Sequence, residues 1–154
     1  MKYSLMAAVA LASVIAGPGA AQADDWRVVS ASRDQISFID ASTIQIDGQR
    51  KLYWLLNLYR VTEDGADYYM DHVAIDCQRR TTELLVEILY LANGTVVGHS
   101  GDIRGDPQPI PPSSVGGATH NAVCAGQWPS TMAFASVGDL IAQTRPAMER
   151  MPIR

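Results

Sequence analysis

The sequence predicts an α+β domain in which an antiparallel sheet of about six strands carries a helix on one face. Three observations lead there. From Asp24 to Gly101, runs rich in β-branched residues, Leu and Tyr alternate in polarity and are divided by Asp47-Gly48 and Asn93-Gly94 turns. The links between these runs are all too short for a parallel crossover, which takes about a dozen residues or more. Beyond a Gly/Pro loop at Asp102 to Pro112, the chain turns rich in Ala and Ser and takes up helical spacing.

The first 23 residues stand apart from this domain. Met1-Lys2 is a short basic start, Leu5 to Ala16 is apolar except for Ser13, and Ala21-Gln22-Ala23 is a small-x-small cleavage site. This is the pattern of a secretory signal peptide, with an apolar core too short to span a bilayer. Cleavage would leave 131 of the 154 residues, with 11 basic against 16 acidic side chains, a net −5. An acidic chain without a basic block is a poor match for a phosphate backbone, so nucleic acid is not an expected partner. No further run reaches the length of a membrane span, and no Cys lies near the cleavage site to carry a lipid.

Within the mature chain, Trp26 to Ser30, Ile36 to Ile39 and Thr43 to Ile46 read as short strands. Arg50 to Val61 is the longest apolar run, followed by an acidic loop from Thr62 to Asp67. Tyr68 to Cys77 alternates, with Tyr69, Asp71, Val73, Ile75 and Cys77 on one face and Tyr68, Met70, His72, Ala74 and Asp76 on the other. In Thr81 to Leu91, period-two alternation puts Leu84, Val86, Ile88 and Tyr90 on one apolar face, while Glu83 and Glu87 interrupt the other. Thr95 to His99 completes the meander. The covering helix is expected from about Ser114 to Cys124, with Ser113 or Ser114 as N-cap. Gly116-Gly117 weakens it by roughly 1 kcal/mol per glycine, so it depends on tertiary contacts. A second, weaker helix is expected from Val137 to Thr144, ended by Pro146, with a mobile tail from Ala147 to Arg154.

Cys77 and Cys124 are the only cysteines. In an oxidising compartment an even pair with no His beside either Cys favours a disulfide, which closes a loop worth ~4 kcal/mol. The alternative is one reactive thiol and one buried bystander. The three His residues share no metal motif, and neither CxxC, HExxH, GxSxG nor a dinucleotide fingerprint occurs, so neither an enzyme nor a cofactor is expected. His72, with Met70 and Tyr68 nearby, has the makings of a porphyrin ligand; the plainer reading is a hydrogen-bonded edge residue. Tyr53, Tyr59, Tyr68, Tyr69 and Tyr90 either form an aromatic recognition surface or simply reflect what strands favour. Arg104-Gly105-Asp106 is a tripeptide that integrins recognise on mobile loops, although Gly-Asp-Pro is also ordinary turn chemistry.

Asp25-Trp26, Ile36-Ser37-Phe38-Ile39-Asp40, Ile75-Asp76-Cys77 and the run from Pro109-Ile110-Pro111-Pro112-Ser113 to Val123-Cys124 together resemble the surface-adhesin protein E domain of Gram-negative bacteria. The resemblance covers roughly Asp24 to Cys124. It implies a sheet whose concave face holds a C-terminal helix tethered by a disulfide, in an exported, non-enzymatic protein, with host-protein binding known for adhesin members of the family. The expected organisation is a signal peptide over 1–23, an adhesin-E-like domain over 24–124 and a partly helical extension over 125–154. The expected function is a periplasmic or secreted interaction module. Its partner would be an envelope or host matrix protein, or a second copy at a free sheet edge, and Tyr68, Tyr69, His72, Arg104, Gly105 and Asp106 are the candidate contacts. The competing function is a periplasmic carrier of haem or lipid.

Overall fold

Strand polarity, hairpin turns and one long twisted ladder determine the architecture. It is described from a computed structural model over residues 23–101 and 105–150; the signal region up to Gln22, Arg104 of the tripeptide and the last four residues lie outside the described residues. The strands are β1 (Trp26–Ala31), β2 (Gln35–Asp40), β3 (Gln45–Asp47), β4 (Arg50–Glu63), β5 (Ala66–Asp76), β6 (Thr81–Tyr90), β7 (Val96–His99), β8 (Gln108–Pro109) and β9 (Ala133–Phe134). The helices are α1 (Val115–Ala125) and α2 (Val137–Glu149). All pairings are antiparallel, in the order β7-β6-β5-β4-β2-β1-β9, with β3 on β4 and β8 on β6. The expected meander is present. The two-residue strands β8 and β9 extend it by clipping loops to β6 and β1.

The chain between β2 and β4 departs from the expected strand over Thr43 to Ile46. Asp40 accepts hydrogen bonds from the Ser42 amide (3.0 Å) and hydroxyl (2.7 Å), capping a 3-10 turn over Ala41–Thr43 before β3 begins. A second departure lies in β6. Opposite His72 and Val73 of β5 the partners are Val86 and Leu84, so one extra residue, Leu85, is inserted. This bulge throws Leu84 onto the opposite face from Val86, Ile88 and Tyr90, against the simple alternation, and it sends Glu83 and Glu87 to opposite sides.

Helix α1 lies on one face, over Val29, Ile39, Tyr53, Val73, Ile75 and Ile110. Ser114 is the N-cap, its hydroxyl accepting from the Gly117 amide at 3.1 Å, and Gly126 closes the helix at φ +68°. A Cβ on Gly117 would lie 2.2 Å from the Pro112 carbonyl oxygen. The glycine pair that weakens the isolated helix is therefore what lets its first turn press on the proline loop. Three links pin the other end: the Cys77–Cys124 disulfide, Lys51 Nζ donating to the Val123 carbonyl at 2.7 Å, and the His120 ring between Arg80 and the Cys77 carbonyl.

The opposite face is also covered. Trp26, Ile36, Phe38, Leu56, Leu58 and Tyr68 pack against Phe134 and against Leu140, Ile141 and Met148 of α2. Pro146 does not end this helix, which runs on to Glu149. Pro146 and the Ala142 carbonyl it leaves unbonded lie on the exposed side, while Met148 is fully buried and anchors the last turn. Ala147 to Glu149 are thus part of the core element rather than a loose tail. Arg145 reaches the Asp67 carboxylate at 3.2 Å, tying α2 to the β4–β5 hairpin.

Candidate functional site

Helix α1 shields only part of its face. Beyond it, period-two alternation brings Gln35 and Ser37 of β2, Asn57 and Tyr59 of β4, and Tyr69 and Asp71 of β5 to the same side. The Asn57 carbonyl oxygen accepts from the Ser37 hydroxyl and the Gln35 amide, both at 2.8 Å, and the Asn57 amide donates to Asp71 Oδ2 at 3.0 Å. Asp71 is only 8% exposed, and its other oxygen, Oδ1, is buried without a hydrogen-bond partner among the described residues. Glu87 stands directly across the ladder from it. Burial above all, then the Glu87 charge, raises the Asp71 carboxyl to about 7, against the opposing pull of the Asn57 hydrogen bond. Beside this carboxyl, the Tyr59 and Tyr69 rings meet edge to face at 5.0 Å. The Tyr69 hydroxyl donates to the Glu63 carbonyl at 3.2 Å, and burial raises the Tyr59 phenol to about 12.

Asp71 also lines a half-open cleft of about 380 Å3 between the sheet and α1. Its sheet wall is Tyr53, Leu55, Val73, Thr82 and Leu84; its other walls are Val115, Gly116 and Thr119 of α1 and Gly105, Asp106 and Gln108 of the loop. The β6 bulge is what turns Leu84 into this wall. A second cleft, about 260 Å3, lies on the other side between β1 and α2 and is lined chiefly by apolar residues such as Val28, Ile36 and Phe134. Outer strand β7 leaves Val96 and Val97 exposed, and β6 is its single partner among the described strands.

The residues singled out in the sequence separate between the faces. Tyr69, Gly105 and Asp106 lie on the α1 side, the last two exposed at the cleft. Tyr68 is buried on the α2 side with its ring stacked on Tyr90 at 4.9 Å. His72 is on that side too, stacked on Trp54 at 4.8 Å, and burial lowers its pKa. It lines neither cleft. The five tyrosines therefore form no single surface: Tyr53 is core, Tyr68 and Tyr90 pair on one face, Tyr59 and Tyr69 on the other. Asp71, Asn57 and Glu87 were not singled out. The available signal was an acid at the centre of the otherwise apolar face of Tyr69, Val73 and Ile75.

Among the described residues no three His, Cys, Asp or Glu side chains gather to hold a metal ion, and no helix is long and apolar enough to cross a membrane. The family model for surface-adhesin protein E matches residues 26–125. No curated protein and no solved structure matches the chain.

Proposed function

The chain belongs to the surface-adhesin protein E family, and from that premise we propose that it is an exported, non-enzymatic binding module. Its α1-side face would engage a protein partner, an envelope or host matrix protein. The observation that carries this reading is the extent of the family match, which runs through every strand from β1 to β8 and all of α1, and so contains the polar strip and the cleft. A surface on paired strands, with its covering helix pinned by a disulfide, loses little freedom when it meets a partner. The Tyr59–Tyr69 pair offers apolar contact area from stiff side chains. The signal-like residues 1–23 and a disulfide suited to an oxidising compartment support a periplasmic or secreted location.

The test offers immobilised protein an envelope extract and purified host matrix proteins, with haem titrated in parallel. Saturable capture of one protein, weakened when Tyr59→Ala and Tyr69→Ala are combined, supports the module. Stoichiometric haem or lipid binding without protein capture would replace it with the carrier.

A further inference from the structure

We infer that the cleft between the sheet and α1 is a binding site for an organic cation, with the charged head at Asp71 and the apolar body along Tyr53, Leu55 and Leu84. A nine-tenths buried carboxylate with one oxygen lacking a partner among the described residues is an unfinished hydrogen-bonding group, and such groups are costly unless something completes them. Its surroundings define what completes it. Glu87 faces it across the ladder, Asp106 stands at the rim, and the described lining residues include no Lys, Arg or His. An anion is repelled there, and a donor that carries positive charge is favoured over a neutral one. A bare metal ion is poorly served, because among the described residues no third His, Cys, Asp or Glu joins to form a coordinating set. The cleft, about 380 Å3 with aliphatic and aromatic walls, suits a compact ligand with an apolar body.

Among the described residues the polar and titratable groups around Asp71 are Tyr53, Asn57 and Tyr59 from β4, Tyr69 of its own strand and Glu87 from β6, with Asp106 across the cleft. None of these described groups supplies a positive charge, a bound cation would supply it, and binding strengthens as pH rises through the Asp71 titration. Two sources share this chemistry: a free small amine, and the Lys or Arg side chain of a partner protein, the latter resting on the protein-binding reading above.

The experiment is an amide-shift NMR titration of the protein at pH 8 with phenethylammonium and agmatine, with neutral phenethyl alcohol as control. Both cations should shift amides around Asp71, Leu84, Gln108 and Thr119, and the alcohol should bind about tenfold more weakly or worse. Asp71→Asn, which keeps an acceptor for Asn57, should cost about tenfold or more, and Glu87→Gln about two- to threefold. An Arg-containing tripeptide that binds more tightly than agmatine assigns the site to a partner side chain; one that binds more weakly assigns it to a free amine. The proposal is overturned if the alcohol binds as well as the cations, or if neither cation shifts these amides at millimolar concentration. It is also overturned if Asp71→Asn, with unchanged circular dichroism, binds as the parent does. Cation binding without capture of any matrix protein removes only the protein-binding reading.

Discussion

The two faces of the sheet solve the same covering problem with different materials. On the α2 side, Phe38, Leu56, Leu58, Leu140 and Met148 are all fully buried, and the helix that buries them lies beyond the residues that match the family. On the α1 side the helix is held at its end by a disulfide, a lysine and a histidine, and next to it sits a half-satisfied polar row ending in Asp71. One face gains stability from apolar burial. The other retains a desolvated acid that burial energetics alone disfavour. Covering the first face with α2 lets the α1 side remain partly open.

The disulfide of the α1 side is the point whose loss should cost most. Replacing Cys77 and Cys124 together by Ser should cost about 4 kcal/mol in urea unfolding, from the entropy of the 47-residue separation. Hydrogen exchange should show α1 amides losing protection well before those of α2. On the other face, Leu140→Ala should cost about 3 kcal/mol by removing a fully buried side chain, read as a lower midpoint with unchanged slope. Asp71→Asn should act in the opposite direction. Burial raises this carboxyl from 3.8 to about 7, so across that interval the folded state holds a proton the unfolded chain has released. Parent stability therefore falls as pH rises from about 4 to 7 and stays reduced above. The variant should be more stable by roughly 2–4 kcal/mol at pH 8, the difference vanishing near pH 4. The smallest effect is Ser114→Ala, which removes the α1 cap and should cost about 1 kcal/mol in thermal unfolding.

Much of this architecture was legible because each strand carries its own period and turn. Ser114, the proline run and the spacing of Ala118, Ala122 and Val123 located α1, and the two cysteines told where it is pinned. What escaped was decided by tertiary context. The β6 bulge is invisible to period-two counting, yet it sends Leu84 and Glu87 to the α1 side and so helps build the cleft. Pro146 reads as a stop, but the buried Met148 two residues later holds the helix together. Tyr68 looked available because alternation identifies shared faces without telling which face a second helix will cover. Asp71 was visible as an acid on an apolar face; its missing partner was not, because that depends on Asn57 and Glu87 from neighbouring strands.

The most direct measurement sets Asp71→Asn beside Leu140→Ala and reads two quantities on each: phenethylammonium affinity at pH 8 and unfolding free energy at the same pH. The division between a binding face and a stabilising face predicts that Asp71→Asn loses about tenfold in affinity while gaining stability, and that Leu140→Ala loses stability with affinity unchanged while folded. Equal loss of affinity in both variants, or a loss of stability in Asp71→Asn, would contradict it.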